Sequence, residues 1–194
     1  MKRLFIILAA VVMAVSGMAQ SHAQVFGKEM KGTITEFAEY MVKQQGWRIL
    51  KDYSSEHAIA LTKEENGEIL TAELGGTPIS NTIFAVTVYY ALSNEATWKN
   101  VKAAYDKWTE IYGAPIEVKE HFDPPYSETN NPIYAICNGK GRLYKVHQVK
   151  GGELLVEISP SDRPDKIGKA FLYTYCWIDT QNDRLYTKEE KQGR

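Results

Sequence analysis

The sequence predicts an α+β protein in which two amphipathic helices pack on an antiparallel sheet. Three observations lead to this prediction: apolar residues at helical spacing in two stretches, alternating apolar and polar residues in several others, and turn residues between them. A helix followed by a strand is expected in residues 93–122, and the same order is expected in residues 33–50. We therefore predict a single domain, residues 24–181, built from two tandem α-β-β-β(-β) repeats at about residues 30–92 and 93–181.

In the first repeat, Thr33 and Glu36 have the spacing of a capping box, and Gly46 can end the helix that they begin. Asn66-Gly67 is typical of a two-residue hairpin turn. Such a turn places Leu61 opposite Ala72, so one face of the hairpin is apolar and the other is polar. Residues 82–92 are apolar on both sides and predict either a central strand that is covered on both faces or a strand with an aromatic outer face.

In the second repeat, Ser93-Asn94-Glu95 can cap the start of a helix, and Gly113 with Pro115 can end it. The apolar stripe of this helix is expected at Trp98, Val101, Tyr105, Trp108 and Ile111. A hairpin is predicted around Gly151-Gly152, followed by a last strand at residues 169–179. Residues 182–194 are polar and charged, and we expect them to form a frayed C-terminal tail.

The N-terminus has the pattern of a secretory signal peptide. Lys2 and Arg3 precede an apolar stretch at residues 4–15, which is too short for a comfortable membrane span. Both Gly17-Met18-Ala19 and Ser21-His22-Ala23 offer small residues where a signal peptidase requires them. We predict removal of residues 1–23 and a periplasmic or secreted location, with no membrane span after cleavage.

Composition limits the classes of partner. The chain has 194 residues, a formal net charge of −1 and no basic run, which argues against nucleic acid and anionic membrane surfaces as partners. A domain of this size can bury a sufficient core without a metal or a disulfide. Export would nevertheless permit a bridge between Cys137 and Cys176, and the sequence leaves open whether they form a disulfide or are two separate buried thiols.

No arrangement of residues predicts catalysis, a cofactor or a metal site. His121 and Asp123 could share one face of a strand, but two ligands do not make a zinc site. The sequence contains no nucleophile elbow and no phosphate-binding glycine loop. We therefore predict no catalytic residue, no metal and no cofactor.

Aromatic residues alternate along the last predicted strand. The four that share a face are Phe171, Tyr173, Tyr175 and Trp177. They predict either a binding surface for a protein, peptide or glycan, together with Tyr126 of the long loop at residues 123–132, or the core face of the strand. In the second case the opposite face, with Ala170 and Thr174, is the solvent face.

The chain resembles a family of small exported proteins from Gram-negative gut anaerobes, whose members have no assigned activity. The resemblance is carried by Trp98…Tyr105…Trp108…Ile111-Tyr112-Gly113-x-Pro115, Gly151-Gly152-Glu153-Leu154-x-Val156-x-Ile158 and Trp177-Ile178-Asp179-x-x-Asn182. It implies the repeated helix-on-sheet fold and export, and it implies no catalytic residue. The segment before the first helix lacks the glycine-rich start that is usual in that family.

Two functions of different classes follow as hypotheses. The first is an exported, non-catalytic binding or protein-interaction module of the cell envelope or secreted space. The alternative is a hydrolase of surface polymers with dispersed catalytic carboxylates, which would require two carboxyl groups about 5–10 Å apart in one cleft.

Overall fold

The computed structural model describes residues 21–65, 68–91, 97–160 and 171–193. Within these ranges the chain has an α+β fold, as the sequence predicts. The helices are α1 (Ile34–Gln45), α2 (Trp98–Tyr112), α3 (Pro132–Cys137) and α4 (Thr180–Gln192), with a 3₁₀ turn at Lys51–Tyr53. The strands are β1 (Gln24–Val25), β2 (Lys28–Glu29), β3 (Arg48–Ile49), β4 (Ala58–Glu65), β5 (Glu68–Gly76), β6 (Ile83–Ala91), β7 (Glu117–Phe122), β8 (Gly141–Val149), β9 (Gly152–Pro160) and β10 (Phe171–Asp179).

Strands β3 to β10 form one eight-stranded sheet in the order β3-β4-β5-β6-β10-β9-β8-β7, and β1 pairs with β2 separately. Every neighbouring pair is antiparallel. The last strands of the two predicted repeats, β6 and β10, meet in the centre of the sheet. This order is what a duplicated unit would give, and the repeat itself stays a prediction.

Helix α1 begins at the predicted capping box. The Thr33 hydroxyl accepts the Glu36 amide proton at 3.2 Å, and the Glu36 carboxylate accepts the Thr33 amide proton at 2.8 Å. Gly46 ends the helix in the left-handed conformation, with φ 72° and ψ 20°. The buried face of α1 consists of Ile34, Phe37, Ala38 and Met41.

Helix α2 is capped by Thr97, and the residues 93–95 that we proposed as its start lie outside the described residues. Val101 and Tyr105 are fully buried, but Ile111 is 59% exposed, so its place in the predicted stripe is wrong. The stripe continues through Tyr112 instead, because the Tyr112 ring stacks on Trp108 at 5.8 Å and also faces His147.

The hairpin of β4 and β5 has the predicted register, with Leu61 opposite Ala72 and Ile59 opposite Leu74. Its Asn66-Gly67 tip lies outside the described residues. The hairpin of β8 and β9 turns at residues 150–151, and β6 lies inside the sheet as expected for a strand that is apolar on both sides.

The core lies between the sheet and helices α1, α2 and α3. Its sheet residues include Leu61, Leu74, Val86, Val88, Leu143, Leu154, Val156 and Ile158, all nearly or fully buried. These residues occupy alternate positions along their strands, so the same face of every strand is covered.

The prediction of a frayed C-terminal tail is wrong, because residues 180–192 form helix α4. Asp179 caps this helix by accepting the amide protons of Gln181 and Asn182. The Asn182 amide then donates to the carbonyl oxygens of Met30 and Ile83, at 2.7 and 2.8 Å. These contacts join the helix to distant parts of the chain, which local composition does not indicate. No described helix is long and apolar enough to cross a membrane.

Candidate functional site

The aromatic residues of β10 that the structure describes belong to the core. Tyr175 is 3% exposed and Trp177 is 8% exposed. The ring of Trp108 packs against both, with centroid distances of 5.0 and 5.9 Å. The prediction of Tyr175 and Trp177 as an exposed binding surface is therefore wrong, because helix α2 covers them.

The other residues of the proposed aromatic surface have different outcomes. Phe171 and Tyr173 lie in β10, but their side chains are outside the described part of the structure, so the prediction for them stays a prediction. Tyr126 is half-buried in the loop before α3, and its ring contacts Tyr134 at a centroid distance of 5.6 Å. Binding by Tyr126 also stays a prediction.

The second face of the sheet, which we call the polar face, is the side opposite α1 and α2. Strand pairing aligns one residue from each of the eight strands into a continuous row on this face. The row consists of Arg48, Thr62, Thr71, Tyr89, Thr174, Glu157, Tyr144 and Lys119. Thr174 was predicted to face solvent and is half-buried in the middle of the row, whereas Ala170 lies outside the described residues.

The charges on one side of the polar face are paired. Arg142 binds Glu157 at 2.8 Å, and Lys119 binds Glu117. Cationic groups of Lys119 and Arg142 also lie 5.5 Å from the centroid of the Tyr144 ring. This side of the polar face is therefore an ordered arrangement of one aromatic ring and two ion pairs.

Helix α4 packs against one end of the same sheet. Its Tyr186 ring contacts Phe84 of β6 at a centroid distance of 4.5 Å. A pocket of about 360 Å³ lies beside the start of α4, and its lining includes Gln148, Gln181 and Arg184 but no carboxylate.

A buried ammonium group lies between α2 and β8. Lys145 is 7% exposed, and its Nζ is 2.5 Å from Asp106 Oδ1 and 4.1 Å from the centroid of the Tyr105 ring. Burial raises the pKa of Asp106, but hydrogen bonds and charge from Lys145 and Lys102 outweigh it and hold that pKa below its usual value. The arrangement is a compensated ion pair, which explains how a lysine can face the core.

Lys102, at the edge of this cluster, lies close to two further carboxylates. Its Nζ lies 3.9 Å from Glu120 and 3.5 Å from Glu128, in addition to Asp106. All three carboxyl groups share ion pairs with lysine, and Asp106 is held ionised. A hydrolase needs one such group protonated as an acid, so the cluster does not favour the alternative function.

His121 and His147 each have a hydrogen-bond partner within the chain. The His121–Asp123 pair that we considered is an exposed hydrogen bond of 2.8 Å, which lowers the pKa of Asp123. His147 is fully buried, with Nδ1 3.2 Å from the Gly113 carbonyl oxygen. Among the described residues, no group of three or more His, Cys, Asp or Glu side chains could hold a metal ion.

Neither Cys137 nor Cys176 forms a disulfide. Cys137 ends α3 and packs against the core, whereas Cys176 lies on the polar face and accepts a hydrogen bond from Thr87 at 3.3 Å. The two thiols are therefore on opposite sides of the sheet, and of the two alternatives that the sequence leaves open, the structure has the separate thiols.

Compared with protein-family profiles, curated proteins and solved structures, the chain gives no match in any of the three. The fold and the site define its class as an α+β protein in which one face of the main eight-stranded sheet is covered by helices and the other is polar. Sequence reasoning missed most of the polar row, although the period-2 placement of Thr87, Tyr89 and Thr174 between buried residues was a usable signal.

Proposed function

We propose that this protein is an exported, non-catalytic binding module that docks a protein partner on the polar face of its sheet. The observation that supports this most directly is the row of eight aligned side chains from Arg48 to Lys119. A sheet whose second face were buried would carry apolar residues there, and this row carries threonines, tyrosines and charges instead.

The dimensions suit a protein partner. Eight strands span roughly 33 Å at the usual strand spacing, and successive rows on one face lie roughly 7 Å apart. Because β3 has only two residues, three rows fit only on the seven longer strands, roughly 28 Å by 14 Å or about 400 Å². This is about half of the ~800 Å² that each side of a standard complex contributes. Loops beside the sheet could supply the remainder.

The chemistry of the face also suits recognition. Thr71, Thr87 and Thr174 are short and hydroxylated, so a partner can approach the strands closely and find hydrogen-bonding groups. Tyr89 and Tyr144 supply the amphipathic rings that are enriched in interfaces. A peptide or a glycan could use the same groups, but the length of the row favours a folded protein.

Export is supported by the sequence alone: the basic pair Lys2-Arg3, the short apolar stretch and the small residues that follow it. The partner would then be a protein of the envelope or of the surroundings of the cell.

The test is affinity capture from envelope and secreted fractions with the wild-type protein and two arginine variants. Thr174→Arg places a bulky charge in the middle of the row, whereas Thr35→Arg makes the same change on an exposed position of α1. We expect a partner that wild type and Thr35→Arg retain and that Thr174→Arg loses. Equal retention by all three would contradict docking on the polar face.

A further inference from the structure

We infer that signal peptidase cleaves this chain after Ala19, so that the mature protein begins at Gln20 and keeps His22 and Ala23. The inference rests on the proposed export and corrects the position at which we predicted the signal to end. It follows from the contacts that residues 21–23 make in the folded domain.

Ala23 is part of the core and not of a leader. It is fully buried, and its amide nitrogen donates to Asp179 Oδ2 at 2.8 Å. Its carbonyl oxygen accepts the amide proton of Met30 at 2.8 Å. Cleavage after Ala23 would remove both groups and leave the Met30 amide without this acceptor.

Asp179 depends on the same segment. This carboxylate is fully buried, and Oδ1 accepts the amide protons that start α4. The Oδ2 atom accepts from Ala23, and the ring of His22 lies 3.0 Å from it. Without residues 22 and 23, a buried carboxylate oxygen would lose both of these neighbours, and an uncompensated buried acceptor is destabilising.

The turn between β8 and β9 lies directly against residues 22 and 23. A Cβ atom on Gly151 would lie 2.3 Å from the carbonyl carbon of His22. One on Gly152 would lie 2.0 Å from the Ile178 carbonyl oxygen of the neighbouring strand and 3.1 Å from the Cβ of Ala23. Gly151 also has φ +81°, which favours glycine by itself, but Gly152 is required for close packing. Gly151 therefore makes room for the backbone of residues 22 and 23, whereas Gly152 makes room mainly for the Ile178 carbonyl oxygen.

Cleavage occurs before the chain folds, so burial does not decide which bond the peptidase reaches. Burial instead determines which cleavage product folds with all of these contacts. Gly17 and Ala19 place small residues at the two positions that the peptidase requires, so cleavage after Ala19 satisfies the enzyme. The product retains every contact described above, with Gln20 and Ser21 as a short lead.

The direct test is the intact mass of the protein that is recovered from the periplasm or medium of a Gram-negative cell expressing the full chain. A mass that begins at Gln20 is the expected result. A mass that begins at Gln24, or at any other processed position, would overturn this inference and leave export standing. An unprocessed chain that begins at Met1 would overturn export, and with it the proposed function.

Two variants make the assignment independent of trimming after cleavage. Ala19→Lys should accumulate as precursor, whereas Ala23→Val should be processed normally and begin at Gln20. Normal processing of Ala19→Lys to a product that begins at Gln24 would contradict the inference.

A second measurement tests the structural argument without export. Chains that begin at Gln20 and at Gln24 are produced inside the cell without a signal, and their thermal unfolding is compared. We expect the Gln24 form to melt at least ~4 °C lower, because it lacks the Ala23 contacts. Equal melting temperatures would overturn the argument that residues 22 and 23 belong to the domain.

Discussion

His147 shows how burial of one side chain makes stability depend on pH. Burial lowers the pKa of its imidazole below the usual 6.5, the Gly113 carbonyl opposes this shift, and the charge of Lys145 adds to it. The unfolded chain therefore binds a proton more readily than the folded protein. Stability is fully present above about pH 6.5 and decreases as the pH falls through that value.

We predict that the denaturant midpoint of the wild-type protein falls between about pH 7.5 and about pH 5.5 and that His147→Asn reduces this fall. Asparagine can keep a donor near the Gly113 carbonyl but cannot be protonated. His121→Asn is the control, because the side chain of His121 is 70% exposed, and it should retain the wild-type pH dependence. An unchanged pH dependence in His147→Asn would show that another group causes it.

Glu189 joins the end of α4 to the loop at residues 77–82. Burial raises its pKa, but the Ser80 hydroxyl and the amides of Ile79 and Ser80 lower that pKa from 4.5 to about 2. Its oxygens lie 2.7 Å from the Ile79 nitrogen, 3.0 Å from the Ser80 nitrogen and 2.7 Å from the Ser80 hydroxyl. The stabilising effect is present above about pH 4.5 and is lost as the pH falls toward 2.

We expect Glu189→Gln to lower the melting temperature by a few degrees at pH 7, because the charge-assisted hydrogen bonds become neutral ones. Glu110→Gln, at an exposed position of α2, is the control and should leave the melting temperature nearly unchanged. Calorimetry measures both, and equal melting temperatures for the two variants would contradict the assigned role of Glu189.

At the scale of elements, the capping box should control the stability of α1. Thr33→Ala removes the hydroxyl that accepts the Glu36 amide proton, and we expect it to reduce the free energy of unfolding by about 1 kcal/mol. Thr35→Ala, two residues later and exposed, should change it by less than about 0.5 kcal/mol. Denaturant titrations of the two variants make the comparison, and a loss in Thr35→Ala as large as that in Thr33→Ala would refute the capping role.

Local signals predicted some elements well. The capping box, the Gly46 end and the register of the β4–β5 hairpin depend on residues that are neighbours in sequence or across one turn, so the sequence contains the whole interaction. Ile111 was misplaced because helical periodicity alone allows several similar stripes. The sheet selects the one that continues to Tyr112, through contacts with β8 that spacing does not report.

Helix α4 was missed for a different reason. Its own residues are strongly polar, and the groups that hold it in place are Asp179 at its start, Asn182 against Met30 and Ile83, and Glu189 against residues 79–80. Ile79, Met30 and Ile83 are each about 100 residues or more in sequence from the α4 residue that they contact. Only the folded chain brings these groups together, so composition favoured a frayed tail.

At the scale of the whole molecule, the sheet separates a face that helices cover from a polar face. Helices α1, α2 and α3 cover one face, and this covering explains why Tyr175 and Trp177 are buried and not available to a ligand. The sequence predicted the fold class, and it left open which face of β10 was in the core. Covering by α2 decides that question and directs the search for a binding surface to the row through Tyr89 and Thr174.

Crosslinking in living cells tests the docking surface most directly. A photoreactive phenylalanine analogue replaces Tyr89 on the polar face in one variant and Tyr112, the 40% exposed last residue of α2, in a matched control. The account predicts a discrete protein adduct from position 89 after illumination and none from position 112. An adduct from position 112 alone, or none from either position, would contradict the polar face as the docking surface.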